Sequence, residues 1–245
     1  MEEPAARRLP ALSSDKTKIS LIIPALNEAA SIGRVLEDLP ADLFCQVIVV
    51  DNGSTDGTGE IADAHGATVV REERRGYGRA CRSGIERVRP DCDVVVFMDA
   101  DSSDDPQEVH RLLAPILHGE ADLVIGARRG VRVEPGALTP PQRFGNALAT
   151  GLIRLLHRHR YTDLGPFRAI RQSSFRELAM QDCDYGWTVE MQIKALQQGL
   201  RVREVPVNYR RRVGTSKISG NLPNSLRAGL KILWTIARLR KARWE

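Results

Sequence analysis

Short apolar runs alternate with polar, turn-rich stretches from residue 19 onward. Residues 19–23, 47–50, 67–71, 94–98 and 122–125 predict strands, and the unbroken apolar character of the longer runs suits burial on both faces of a parallel sheet. Between them, apolar positions recur at helical spacing. Ile32, Val35 and Leu36 mark the inner face of a first helix, with Asn27 or Ser31 as its cap, and further helices are predicted at about 59–65, 79–88 and 107–117. Strands alternating with helices in this way predict βαβ units and an α/β fold: a Rossmann-like, mostly parallel sheet flanked by helices.

The pattern changes at Gly130. A Pro/Gly-rich loop leads to a helix at about 142–157, a short segment at 167–170, a helix at 188–199 and a strand at 202–206. In the last stretch Leu226, Leu230, Leu233 and Ala237 fall at helical spacing, and Ile232, Ile236 and Leu239 widen that face. Three regions follow from the pattern: a flexible tail at 1–17, one catalytic-sized domain at 18–220, and a basic amphipathic C-terminal helix at 221–245.

Composition adds little until charge is considered. With 42% hydrophobic and 27% charged residues the chain reads as an ordinary globular protein, and its net charge of +5 is modest. The charge is unevenly spread, however: from Arg201 to Arg243, Glu204 is the only acid among many Arg and Lys. That asymmetry predicts an anionic partner such as phosphate or a lipid head group. Arg227, Lys231 and Arg238 gather on one side of the last helix, with Trp234 and Trp244 suited to an interface, so a membrane surface is an expected partner of this helix. Neither a signal peptide nor an apolar run near the ~18 residues of a membrane span is present, so the expected location is cytoplasmic, peripheral on the membrane's cytoplasmic face. Cys45 and Cys92 flank apolar strands and are expected to serve as small core residues.

The chemistry concentrates where strands end. The run at 94–98 stops in four carboxylates, Asp99, Asp101, Asp104 and Asp105. Carboxyl ends of buried strands are where open α/β sheets bind ligands, and Asp99 with Asp101 suits a hard divalent cation. A solvated acidic loop capping the helix at Pro106 is the competing explanation. Two further strand ends are polar, at Pro24-Ala25-Leu26-Asn27-Glu28 and Asp51-Asn52-Gly53-Ser54, which puts acids and amides along one edge of the sheet. The Gly76-Tyr77-Gly78-Arg79 turn looks like half of a dinucleotide fingerprint, but Cys81 stands where its third glycine belongs.

These pieces together resemble the family-2 glycosyltransferases of GT-A fold, and within them the dolichyl- and polyprenyl-phosphate mannose or glucose synthases. The resemblance spans about residues 18–220 and rests on Ile22-Ile23-Pro24-Ala25-Leu26-Asn27-Glu28, the stretch from Val49 to Thr58, Met98-Asp99-Ala100-Asp101, and the stretch from Arg211 to Lys217. It implies inverting, metal-dependent transfer of a sugar from a nucleotide-diphosphate sugar, of GDP-mannose or UDP-glucose type, to a polyprenyl or dolichyl phosphate. It further implies that Pro24, Ala25, Asn27, Glu28, Asp51 and Asp99 line the donor nucleotide. Asp99 and Asp101 would hold Mg²⁺ or Mn²⁺, Asp101 being catalytic in that sense, and Arg211, Arg212, Ser216 and Lys217 would reach the diphosphate.

Arg128 and Arg143 match arginines that bind the acceptor phosphate in such synthases. The sequence departs from the pattern at Ser103, where relatives place Gln, and at Gly165-Pro166-Phe167, where they often read Ser-Gly-Phe. It also stops before the C-terminal transmembrane helices that many of them carry. A lipid phosphate needs no general base, whereas a soluble hydroxyl acceptor does, and Glu190 is the candidate for that role. A more distant alternative is a phosphatase of haloacid-dehalogenase type, although there the acidic pair follows the first strand. No nucleic-acid partner is expected, and an oligomer is left open.

Overall fold

The computed structural model describes residues 12, 17–214 and 222–240. Seven strands form one sheet: β1 (Ile19–Ala25), β2 (Gln46–Asp51), β3 (Thr68–Arg71), β4 (Val94–Phe97), β5 (Leu123–Ala127), β6 (Arg168–Arg171) and β7 (Val202–Pro206), in the order β3-β2-β1-β4-β6-β5-β7. All neighbours pair in parallel except β6, which runs antiparallel to both β4 and β5.

Alternation along each strand builds two cores. Ile22, Ile48, Val50, Val95, Phe97, Leu123 and Ile125 face one side. There they meet α3 (Tyr77–Ile85), α5 (Pro140–His157), α7 (Trp187–Gln197) and α8 (Leu222–Leu239) through Cys81, Ile153, Trp187 and Ile236. Leu21, Ile23, Val49, Val94, Val96 and Val124 face the other side. They pack on α1 (Ile32–Glu37), α2 (Thr58–Ala64) and α4 (Val109–Leu117) through Ile32, Ala62, Leu112 and Ile116. Because both faces are covered, the strands carry apolar residues without a polar phase.

The predicted strands are present, with boundaries moved by a few residues, and the strand at 202–206 is found as drawn. Three details differ. The short segment at 167–170 is the antiparallel strand β6, and α6 (Gln172–Glu177), which no pattern announced, follows it. Ser31 occupies the cap position of α1, but its hydroxyl donates to the Glu28 carbonyl (3.2 Å) rather than accepting from the helix. Cys45 is exposed while Cys92 is buried, so only the second is a core residue.

The Gly76–Gly78 turn has a packing role. Arg79 N–H donates to the Cys183 carbonyl at 3.0 Å, holding the start of α3 against the loop before α7. A Cβ on Gly78 would overlap the Asp182 carbonyl oxygen and lie 2.8 Å from the Cys183 carbonyl carbon. Backbone cannot move aside as a side chain can, so Gly78→Ala is expected to cost about 1–3 kcal/mol, as overpacking does. Urea unfolding followed by circular dichroism checks this; an unchanged midpoint would show that the two segments are not tightly apposed.

Candidate active site

Strand order places the polar strand ends together. The chain crosses from the β3 edge back to β4 beside β1, so β1 and β4 straddle the point where the winding direction reverses, the place where doubly wound sheets open a ligand crevice. The carboxyl ends of β2, β1 and β4 therefore stand side by side, carrying Asp51, the Asn27–Glu28 turn and Asp99. The antiparallel strand β6 starts at the same edge, since Arg168 pairs with both Phe97 and Ile125.

On the β1–β2 side the polar residues hold one another. Asp51 accepts the Ser54 N–H at 2.8 Å, the Ser54 hydroxyl accepts from Asn27 N–H at 2.9 Å, and Asn27 Oδ1 accepts the Thr55 N–H at 2.8 Å. Asn27 takes a left-handed conformation (φ 52°), which an amide side chain tolerates, so it shapes this turn instead of capping α1. Glu28 N–H donates to Thr58 Oγ1 at 2.9 Å. Pro24 and Ala25 are buried at the strand end beneath this network.

The acidic side is tighter. Asp101 is buried, and its Oδ1 accepts both the N–H and the hydroxyl of Ser103. Its Oδ2 pairs with the Arg212 guanidinium at 2.9 Å, which also reaches Glu28 Oε1 at 3.4 Å. Tyr77 OH donates to Asp99 Oδ1 at 3.2 Å. Asp104, fully enclosed, accepts the Asp99 N–H through Oδ2 at 3.3 Å, while its Oδ1 has no donor. Burial, and then the neighbouring Asp101 charge, push the Asp99 carboxyl up from the ordinary carboxylate range. Burial followed by Asp99 and Asp101 does the same to Asp104. Three acids face two guanidiniums, Arg212 and Arg128, and Arg128 is already paired with Asp163, so the cluster is short of positive charge.

That deficit is the test for a cation. The donors are hard carboxylate oxygens, one of them buried without a hydrogen bond, which fits Mg²⁺ or Mn²⁺. Among the described residues no group of three or more His, Cys, Asp or Glu side chains forms a protein-only cage. This also fits, because Mg²⁺ is usually held by one or two carboxylates plus the oxygens of a substrate phosphate. Arg212, seated on Asp101 Oδ2, would have to exchange its place with such an ion.

Of the basic residues expected near the diphosphate, Arg212 alone is at the acids. Arg211 turns away, its N–H donating to Glu134 Oε2 (2.6 Å) and its Nε to the Pro135 carbonyl (2.7 Å). Ser216 and Lys217 lie outside the described residues.

A cavity of about 290 Å³ is lined by Arg128, Arg129, Leu138, Gln142, Arg143 and Asn146 among others. Both arginines expected to bind an acceptor phosphate line it, but their situations differ. Arg128 is locked by Asp163, which accepts from its Nε and Nη2 at 2.8 Å each, and its guanidinium lies 5.1 Å over the Tyr209 ring. Tyr209 in turn pairs through its backbone with Asp104, so Arg128 and Tyr209 connect the cavity to the acids. Arg143 and Arg129 are exposed and have no carboxylate partner among the described residues.

Glu190 is elsewhere. It is completely buried in the first turn of α7, where its oxygens accept Gln181 N–H (3.1 Å) and Asp182 N–H (2.6 Å), with Lys194 at 2.9 Å and Arg238 of α8 at 3.7 Å. Both oxygens are engaged, which leaves no face for an acceptor hydroxyl. Tyr77, Arg129 and Asn146 are the site residues that pattern alone did not single out. Only the first turn after Gly76 hinted at Tyr77.

The family model described as Glycosyl transferase family 2 matches residues 20–179. A glycosyltransferase of Mycobacterium tuberculosis is 37% identical over 210 residues, covering 85% of this chain and 93% of that one. The undecaprenyl-phosphate mannosyltransferase of Micrococcus luteus is 34% identical, covering 91% and 98%. Among solved structures, glucosyl-3-phosphoglycerate synthase from M. tuberculosis with Mn²⁺, UDP-glucose and phosphoglyceric acid has a TM-score of 0.75 at 25% identity, over 95% of this chain and 82% of that one. This likeness bears out the expected GT-A architecture.

Proposed function

Because the chain belongs to glycosyltransferase family 2, we propose that it transfers a sugar from a nucleotide diphosphate to a polyprenyl phosphate, using Mg²⁺ or Mn²⁺ at Asp99 and Asp101. The observation that carries this reading is the adjacency of two sites of opposite charge. The acid cluster needs a cation, and the cavity beyond Arg128 and Tyr209 offers Arg129 and Arg143 to an anion. Family membership leaves no place for the phosphatase alternative.

In this reading Pro24, Ala25, Asn27, Glu28 and Asp51 line the nucleoside. When bound at the acids, the metal supplies charge that stabilises the departing nucleoside diphosphate. Arg212 swings from Asp101 to the diphosphate, exchanging one anion for another, with Ser216 and Lys217 assisting. Arg143 holds the acceptor phosphate, whose oxygen is already ionised and attacks the anomeric carbon from the face opposite the leaving group, with inversion. No base is needed, which accords with the enclosed state of Glu190. The helix α8 would bring the protein to the membrane in which the acceptor resides.

A second reading shares the site. The structural relative named above was solved with phosphoglyceric acid, and the same cationic cavity suits a soluble phosphorylated acceptor. A thermal-shift panel of nucleotide sugars with Mn²⁺ tests the donor half: one donor should raise Tm only when metal is present, since a ligand of the native state stabilises it. For the acceptor half, Arg143→Ala should raise the acceptor KM by roughly 10- to 100-fold, the loss of one charged contact of about 1.5–3 kcal/mol, and leave the donor KM unchanged. Equal acceptor KM values would remove Arg143 from the site.

A further inference from the structure

Among the described residues the large apolar side chains that remain exposed are Phe144, Leu148, Leu155, Leu226, Leu230 and Trp234. Every one of them lies on α5 or α8, and these two helices pack against each other. Their exposure is not the by-product of a helix that failed to dock. On the inner side α5 buries Ala149 and Ile153, and α8 buries Ala228 and Ile236. On the outer side, Phe144, Leu148 and Leu155 form one stripe about 16 Å long at the helical rise. Leu226, Leu230 and Trp234 form a second.

Charge decides what covers this face. Neither 140–157 nor 222–239 contains a single Asp or Glu. Lys231 and Arg238 are committed inward, to Asp182 at 2.9 Å and to Glu190 at 3.7 Å, so they fasten α8 to the domain and are not the free cations that the sequence suggested. Both also sit 4.8 Å from the Trp234 ring and hold the indole on the outer side. The cations left outward are Arg143, Arg154, Arg158, Arg227 and Arg240. Apolar stripes flanked by arginines, with no acid between them, complement a layer of phosphates over acyl chains; a protein face would present both signs of charge.

We infer that α5 and α8 together form one docking surface for an anionic bilayer, with α5 contributing as much as the C-terminal helix. The inference rests on the lipid-acceptor reading and deepens it: Gln142, Arg143 and Asn146, in the first turns of α5, also line the cationic cavity. A phosphate at the bilayer surface thus lies beside the cavity mouth, and the acceptor need not leave the membrane to react.

The test is co-sedimentation of the full chain with vesicles of phosphatidylcholine alone or containing phosphatidylglycerol. It compares the wild type, Phe144→Glu/Leu155→Glu and Leu230→Glu/Trp234→Glu. Each pair is expected to weaken binding to the anionic vesicles at least tenfold with Tm unchanged. Transfer to a short-chain, water-soluble polyprenyl phosphate should also be unaffected, since none of the four residues lines the site. Wild-type affinity in the Phe144/Leu155 variant would overturn the inference. So would a wild type that ignores vesicles, binds neutral ones equally well, or instead self-associates through this face in analytical ultracentrifugation. Vesicle binding as expected, with no transfer to any lipid phosphate, would uphold the surface and reject the proposed function.

Discussion

Asp101→Asn is expected to lower kcat for sugar transfer by about 10³-fold, the scale of removing one electrostatic contact to a developing charge. The amide keeps the shape and can still accept the Ser103 donors on Oδ1. It loses the negative charge on the atom that faces Arg212, which is the atom proposed to take the metal. Folding should survive, because the pair lost is one-third exposed on the arginine side. Steady-state kinetics at saturating Mn²⁺, beside a thermal melt, checks both halves. A variant with normal melting and near-normal kcat would refute the assignment of Asp101.

Asp163→Ala is expected to act through stability. Asp163 accepts from the Arg128 N–H at 2.7 Å, both arms of its guanidinium and the Leu164 N–H at 2.8 Å, and the two side chains are 4% and 15% exposed. Burial opposes the Arg128 cation, and the charge and hydrogen bonds of Asp163 outweigh that and hold its pKa well above the ordinary value. Removing the carboxylate strands a buried cation, a loss of about 3–5 kcal/mol for breaking such a pair. For a chain of this size that corresponds to a fall in Tm of roughly 10 °C. Because Arg128 also walls the cavity, the acceptor KM should rise in whatever folded protein remains. Differential scanning calorimetry tests the first effect; a shift below about 2 °C, some 0.5–1 kcal/mol, would mean that water reaches the pair.

The parts legible in the sequence were those where one force dominates. Strands buried on both faces must be apolar throughout, so β1, β2, β4 and β5 announced themselves, and their polar ends pointed to the ligand edge. The antiparallel β6 is legible only as a short segment because its sequence is Arg-Ala-Ile-Arg. Its ends look like surface, yet Arg168 is buried by donating to the carbonyls of Leu164, Gly165 and Thr188, and Arg171 by Asp122 and the Ile116 carbonyl. Such satisfaction depends on distant backbone, which no local pattern records. The same limit explains Glu190, which sits where helix-dipole logic puts a glutamate while its partners come from the 181–182 loop and α8. It explains Arg211 and Arg212 as well: the two are neighbours in sequence, yet one is held by the Pro135 carbonyl and the other by Asp101, partners that lie far off along the chain. The acidic run was legible as a cluster, but the enclosure of Asp104 with a bare oxygen was not, because it depends on the strand-like pairing of Asp104 with Tyr209.

The measurement that bears most directly on the central claim is an acceptor competition. Purified protein with Mn²⁺ and a radiolabelled nucleotide sugar, chosen by the thermal-shift panel, is offered undecaprenyl phosphate in detergent and 3-phosphoglycerate at equal concentration. Label is expected in the organic phase, abolished by EDTA and by Asp101→Asn. Label confined to the aqueous acceptor, or organic-phase label that persists without divalent metal, would contradict that claim.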